Sequence, residues 1–361
     1  MSKNIIICCD GTNNQLEGDI TNVVRLYQVV QKDAGQVAYY DPGVGTMADP
    51  VERSWLGKRW SMVEGLAFGA GLEEDVREAC RYLMQTYEEG DKVFLFGFSR
   101  GAFTARVLAG MLHGVGLLHA GAENLLPYMW RYYLAMKDEI SEETKALRRS
   151  FTRECPVHFL GLWDTVGSVG MYGNNQAFPF TWKNDSVHIV RHAVSLDERR
   201  GGFRSNVFLQ DETPLPELNG RWRVMNVWFP GVHSDVGGGY LFPLESGLAM
   251  VAFAWMLHEA KAAGLCVDDA KAGALLAACA PDPLGKKHES LECYWHLVEC
   301  LPVRRYDFAT KTKKWRWPWQ NWRVRTMVQK PIIHQSVLDR KAGDSTYCPN
   351  NFPTGPYTIE P

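Results

Sequence analysis

The sequence predicts an α/β protein built on a mostly parallel sheet with helices on both faces. Three observations predict it. Short apolar runs recur along the chain, helix-sized stretches separate them, and the runs are apolar throughout. Strands spaced by helices imply βαβ crossovers and a largely parallel sheet. Strands without polar alternation belong in a sheet covered on both sides.

The elements follow in order. Asn4–Cys9 reads as a buried strand that stops at Asp10-Gly11-Thr12. Thr21–Gln31 has helical spacing through Val23, Leu26, Tyr27 and Val30. Val37–Tyr40 is a second strand, closed by Asp41-Pro42-Gly43, and residues 44–64 read as an excursion loop. Leu72–Glu88 starts with three acids and continues with apolar positions at helical spacing, so it is a helix. Val93–Phe96 is a strand and Ala102–Leu112 a helix. Further strands are expected at Val157–Trp163, Val187–Val194 and Val224–Phe229, and an amphipathic helix at Glu245–Ala263.

The chain has 361 residues, of which 46% are apolar and 22% charged. That composition excludes a disordered tail, a collagen-like rod and a coiled coil. No repeat or linker divides it, so residues 1–361 are expected to form one domain, with a candidate helical cap at 122–153 and a lid or membrane-facing segment at 265–330. A net charge of −2 argues against a dedicated nucleic-acid binder. The nine cysteines form no CxxC and are read as reduced thiols. No metal and no cofactor is expected. The N-terminal apolar run is too short for a signal peptide, and no run of ~18 apolar residues appears. Synthesis in the cytoplasm is expected, with export by a signal-independent route left open.

Chemistry is concentrated in Val93-Phe94-Leu95-Phe96-Gly97-Phe98-Ser99-Arg100-Gly101-Ala102. An apolar strand runs into Gly-x-Ser-x-Gly and then a helix rich in small residues. A serine at such a turn has its hydroxyl pushed above the sheet, and the two glycines allow the close backbone approach. The N–H of Arg100 is a candidate oxyanion donor. The motif alone arises by chance; its strand and helix context makes it specific.

A nucleophilic serine needs a base, and the base needs an orienting acid. Downstream strand ends offer both. Asp164 follows the apolar run Phe159–Trp163. His233 lies in Phe229-Pro230-Gly231-Val232-His233-Ser234-Asp235, just after another strand and ahead of three consecutive glycines. His334 is the rival base, whereas His188 and His192 read as structural. A second oxyanion donor is sought after the first strand, at Gly11 or Thr12. Asp10 is a candidate to orient that loop or His233, and Asp235 to fix the loop of the base.

These segments, together with Ile7-Cys8-Cys9-Asp10-Gly11-Thr12-Asn13-Asn14, Tyr40-Asp41-Pro42-Gly43-Val44-Gly45-Thr46 and Trp163-Asp164-Thr165-Val166-Gly167, resemble the uncharacterised α/β-hydrolase domain family. That family includes the class-one lipase effectors of type VI secretion. The likeness runs to about residue 260, with a trailing match at His334-Gln335-Ser336-Val337. It implies an α/β-hydrolase fold, phospholipase activity of the A type on a lipid or other ester substrate, and a triad of Ser99, Asp164 and His233. A chain of this length is expected to leave little room for the membrane-anchoring module of the secreted effectors.

Residues 311–325 pack four Trp and six cations into fifteen positions. Indoles favour the bilayer interface and cations favour anionic headgroups, so Trp315, Trp317, Trp319 and Trp322 are candidates for peripheral membrane contact. The bland alternative is a pair of twisted strands or a loop whose indoles pack inward while the cations stay solvated. Single-stranded nucleic acid is disfavoured by the net charge.

Three function classes compete. One is a serine esterase or lipase, with a carboxylesterase on small soluble esters as the variant. Another is a metal-dependent phosphohydrolase, because an apolar strand ending in Asp-Gly-Thr resembles the haloacid dehalogenase signature; here Cys8 stands where that chemistry needs an aspartate. The third is a non-catalytic lipid- or protein-binding module on a hydrolase scaffold.

Overall fold

Along the first strand, Ile5, Ile7 and Cys9 face one side of the sheet and Ile6 and Cys8 the other, and all five are buried. That is the period of two of an extended chain covered on both faces. The computed structural model describes residues 2–11, 20–43, 64–136, 139–167, 178–200, 203–291, 303–307, 312–316, 325–327 and 330–361.

β1 (Asn4–Cys9) leads to α1 (Asn22–Val29), which Thr21 caps by accepting the Val24 N–H. β2 (Gln36–Asp41), α2 (Glu64–Thr86), β3 (Lys92–Phe98) and α3 (Arg100–Val115) follow. A short antiparallel pair, β4 (Leu117–Leu118) with β5 (Thr152–Arg153), brackets α4 (Leu126–Ala135) and α5 (Glu142–Phe151). This is the 122–153 segment expected as a cap. Its Met129, Trp130 and Tyr133 enter the core formed by α2 and α3, and the Tyr133 hydroxyl donates to the Pro179 carbonyl at 2.8 Å.

The sheet continues with β6 (Val157–Trp163), β7 (Val187–Ser195), the antiparallel β8 (Asp211–Leu215) and β9 (Arg221–Phe229). After β9 come α6 (His233–Gly237), α7 (Gly247–Ala262), α8 (Asp269–Ala278), the hairpin β10 (Val303–Asp307) and β11 (Thr312–Arg316), then β12 (Ile332–His334), α9 (Gln335–Gly343) and β13 (Thr358–Glu360). The strand order is β13-β12-β9-β7-β6-β3-β1-β2, parallel throughout, with β8 antiparallel on β9. This mostly parallel sheet with helices around it is the expected α/β-hydrolase-like fold. On one face lie α2 and α3 with Leu72, Val76, Leu83, Ala105 and Leu108; on the other lie α1 and α7 with Val23, Leu26, Met250, Phe253 and Met256.

One expectation needs correction, and two strands were not read from the sequence. The helix read as amphipathic at Glu245–Ala263 is buried around nearly its whole circumference, from Leu248 to Ala260. It has neighbours on several sides: β6 and β7 of the sheet, α1 and α6. A helix enclosed in this way needs no polar stripe. In addition, β12 and β13 extend the sheet at its edge, and each has only three residues, too few for a periodic pattern to show. Among the described residues, no helix is long and apolar enough to cross a membrane.

The two motif glycines set how closely α3 approaches the sheet. A Cβ on Gly97 would stand 2.5 Å from the Gly101 carbonyl oxygen and 2.6 Å from the Ala102 nitrogen. A Cβ on Gly101 would run into the Cys9 and Asp10 carbonyls. Backbone cannot swing away as a flexible side chain can, so Gly101→Ala is expected to push α3 off β1. The expected cost is about 3 kcal/mol or more, read as a lowered midpoint in urea unfolding with an unchanged slope.

Candidate active site

Ser99 sits between β3 and α3 with φ 57° and ψ −119°. An L-residue adopts this conformation only when the surrounding structure forces it. Here the Ser99 N–H donates to the Trp163 carbonyl at 3.0 Å, and its own carbonyl accepts from Phe103 at 3.3 Å. The turn lifts the side chain off the end of β3. Arg100 is the first residue of α3, so its N–H belongs to the helix end where partial positive charge accumulates.

Asp164 follows β6 immediately and also has positive φ, 38°. Its N–H is held by the Ala193 carbonyl at 2.8 Å. His233 opens α6, just after β9. All three residues therefore project from the carboxyl ends of parallel strands, where the crevices of α/β sheets form. The Ser99 Oγ lies 2.8 Å from His233 Nε2, and His233 Nδ1 lies 2.5 Å from Asp164 Oδ2. A carboxylate only accepts, so Nδ1 carries the proton, and Nε2 is left to accept from the serine hydroxyl.

The imidazole lies among Phe98, with centroids 4.6 Å apart, and Phe203, at 5.0 Å and edge-on. Burial pushes its pKa below the ordinary value, although Asp164 pulls the other way. Asp164 is fully buried, which by itself would raise its pKa; the Arg325 guanidinium and His233 outweigh that and hold the carboxyl well below the usual range. Arg325 Nη1 is 2.5 Å from Asp164 Oδ1, and Nη2 is 3.0 Å from Oδ2. Ser195 N–H completes the set, donating to Oδ1 at 2.8 Å.

Two further carboxylates hold His233 and its loop in place. Glu198 accepts the His233 N–H at 3.2 Å and the Ser290 hydroxyl at 2.9 Å, and pairs with Arg200. Asp235 accepts the Val232 N–H at 3.0 Å and contacts His288 Nδ1 at 2.7 Å, so it fixes the loop before α6. Asp10 serves its own loop rather than His233: it accepts from Thr21 Oγ1 at 2.7 Å, Tyr40 OH at 2.8 Å and Gly11 N at 2.7 Å. This corrects the expectation for Gly11. Its N–H is already engaged by the Asp10 carboxylate and so is not free for an incoming oxyanion. Thr12, the other candidate, lies outside the described residues.

His334 does not reach Ser99. Its ring stacks on Phe229 at 4.4 Å, and its Nδ1 accepts the Ser336 N–H as the cap of α9. Burial lowers its pKa to about 4. His192 is buried within β7, accepts the Thr165 N–H at 3.1 Å, and is lowered to about 3 by burial and then by Arg106. The unfolded chain binds a proton at each of these imidazoles below pH 6.5, whereas the folded chain refuses it down to about 4 and 3. Stability is therefore expected to fall with falling pH through that window, by about 1.4 kcal/mol per unit for each group. Chemical denaturation at pH 7 and pH 5 measures the slope, and His334→Gln is expected to make it shallower.

Trp317, Trp319 and Trp322 lie outside the described residues, and Trp315 is placed only as a position in β11. Arg325 closes the same Trp-rich stretch, yet it reaches into the site. Neither it nor Glu198 was singled out from the sequence. Glu198 had a weak signal, as part of a charged run directly after β7. Arg325 had none, because nothing sets it apart from the other five cations of the same Trp-rich run.

A model of the family described as T6SS phospholipase effector Tle1-like, catalytic domain, matches residues 3–259. The chain belongs to this Tle1-like family. An uncharacterised protein of Saccharomyces cerevisiae, YEL023C, is 37% identical over 237 residues, covering 60% of this chain and 33% of that protein. A crystal structure of an uncharacterised protein from Pseudomonas aeruginosa aligns with a TM-score of 0.42 and 21% identity over 74% of this chain and 46% of that one. The structure of the Tle1 effector bound to the VgrG spike of the type 6 secretion system aligns with a TM-score of 0.38 and 19% identity over 68% and 52%. The Tle1-like chain thus spans a third of the curated relative and about half of each of these solved chains.

Proposed function

We propose that the protein is a serine hydrolase that cleaves carboxylic esters through Ser99, His233 and Asp164, with glycerophospholipids as the substrate class and A-type cleavage. The single observation that supports it is the continuous relay from the Ser99 hydroxyl through the His233 ring to the Asp164 carboxylate. Membership of a phospholipase effector family supports the choice of lipid.

His233 Nε2 takes the proton as Ser99 Oγ bonds to the ester carbonyl carbon, and the carbonyl electron pair moves onto oxygen. The Arg100 N–H is the proposed donor to that oxyanion, with Thr12 the proposed second donor. Collapse breaks the bond to the leaving alcohol, which takes its proton from His233. Water then attacks the acyl-serine with His233 again as base, releasing the acid and regenerating the hydroxyl.

The base must be neutral to act, and burial already favours its neutral form. Activity should therefore fall only as pH drops below about 6.5, the ordinary imidazole value. The pH dependence of fluorophosphonate labelling measures this; an acid limb above pH 7 would contradict it. Substrate class is tested with p-nitrophenyl esters of increasing chain length beside phosphatidylglycerol and phosphatidylcholine vesicles. Release of fatty acid from vesicles is expected. Turnover of short soluble esters alone would keep the chemistry and remove the phospholipid.

A further inference from the structure

The proposed triad acid has a partner that triad chemistry does not require. Arg325 lies 161 positions from Asp164 and beyond the family-matched span of 3–259. Its guanidinium grips both carboxylate oxygens of a fully buried aspartate. The same group donates to the Ser195 carbonyl at 3.1 Å, to the Ser195 hydroxyl at 2.6 Å and, through Nε, to the Phe203 carbonyl at 3.0 Å. Ser195 ends β7, and the Phe203 ring lies edge-on to His233. Asn351 Nδ2 ties the Arg325 carbonyl and the Leu196 carbonyl together, at 3.1 Å and 3.0 Å. The C-terminal part of the chain is thus anchored at the strand ends.

We propose that Arg325 is a positioning residue of the hydrolase site, whose fork holds the Asp164 carboxylate in the plane that serves His233 and whose charge limits how strongly Asp164 favours the imidazolium. This rests on the serine-hydrolase reading above. Planar two-pronged pairing sets a carboxylate's orientation in a way a single ammonium cannot. The charged groups facing His233 come from three places: Asp164 after β6, Glu198 and Arg200 after β7, and Arg325 from the C-terminal part. Glu198 and Arg200 pair with each other at 2.9 Å, as Asp164 does with Arg325. His192, behind Asp164, is uncharged at neutral pH. The imidazole therefore faces two nearly compensated pairs, and removing the Arg325 charge exposes it to a whole negative charge.

The test compares wild-type protein, Arg325→Met and Arg325→Lys, with Ser99→Ala as the blank and fluorophosphonate titration to count competent sites. The readouts are kcat and the pH dependence of kcat/KM on a p-nitrophenyl ester. For Arg325→Met, kcat is expected to fall about 100-fold, and the acid limb to move up by about one pH unit. For Arg325→Lys, which keeps the charge and loses the fork, kcat is expected to fall about tenfold with the limb near its wild-type position. A folded variant of either kind with wild-type kcat and an unmoved limb overturns the assignment and leaves the hydrolase reading intact. A wild-type protein that neither labels nor hydrolyses overturns both. Should both variants fail to fold, Asn351→Ala, which frees the Arg325 carbonyl and leaves the proposed triad untouched, decides: a fall in kcat supports the positioning role, and wild-type kcat overturns it.

Discussion

Ser99→Ala is expected to lose fluorophosphonate labelling completely and to cut ester hydrolysis by about 10⁴-fold or more. The expectation follows from what the change removes. It deletes only the Oγ, which stands 2.8 Å from His233 Nε2 at the end of β3, and leaves the rest of the turn in place. No core contact of the apolar sheet is touched, and the backbone hydrogen bonds from Ser99 to Trp163 and Phe103 remain. The thermal midpoint should therefore stay within a degree or two of wild type. Loss of activity with an unchanged midpoint marks a nucleophile. Retained labelling would move the nucleophile elsewhere, and with it the proposed mechanism.

Asp164→Asn should fail in both respects. An amide cannot accept from Arg325 and His233 as a carboxylate does, so the imidazole is free to turn to the wrong tautomer. A loss of about 10⁴-fold in kcat is expected on that ground. The same change strips a buried guanidinium of its counter-charge. Arg325 and Asp164 have side-chain exposures of 4% and 0%, so water cannot take over as partner. Breaking one half of a buried pair typically costs about 3–5 kcal/mol, and urea unfolding should show a cost of that order. The contrast with Ser99→Ala is the informative result. An active, fully stable Asp164→Asn protein would remove the acid from the proposed relay.

Much of this architecture was legible beforehand because its causes are local. The run Ile5–Cys9 has no polar position, and only a doubly covered strand tolerates that. Gly97 and Gly101 are required by the backbone of a turn only a few residues long. Asp164 and His233 each follow a strand directly, and strand ends in parallel sheets converge on one edge. The misreadings share a different cause. Gly11 reads as an oxyanion donor from its place after the first strand, but the neighbouring Asp10 side chain accepts its N–H. The helix over 247–262 reads as two-sided, but strands and helices enclose it on several sides.

The sequence by itself determined the alternation of strands and helices, the strained serine turn and the order in which the three relay residues occur. These are matters of short-range sterics and hydrophobic period. Only the tertiary structure decided which charges meet. The Asp164–Arg325 pair spans 161 residues, and Glu198 finds Ser290 across 92. No local pattern encodes such partners, because a buried charge is matched by whatever the folded chain brings alongside it.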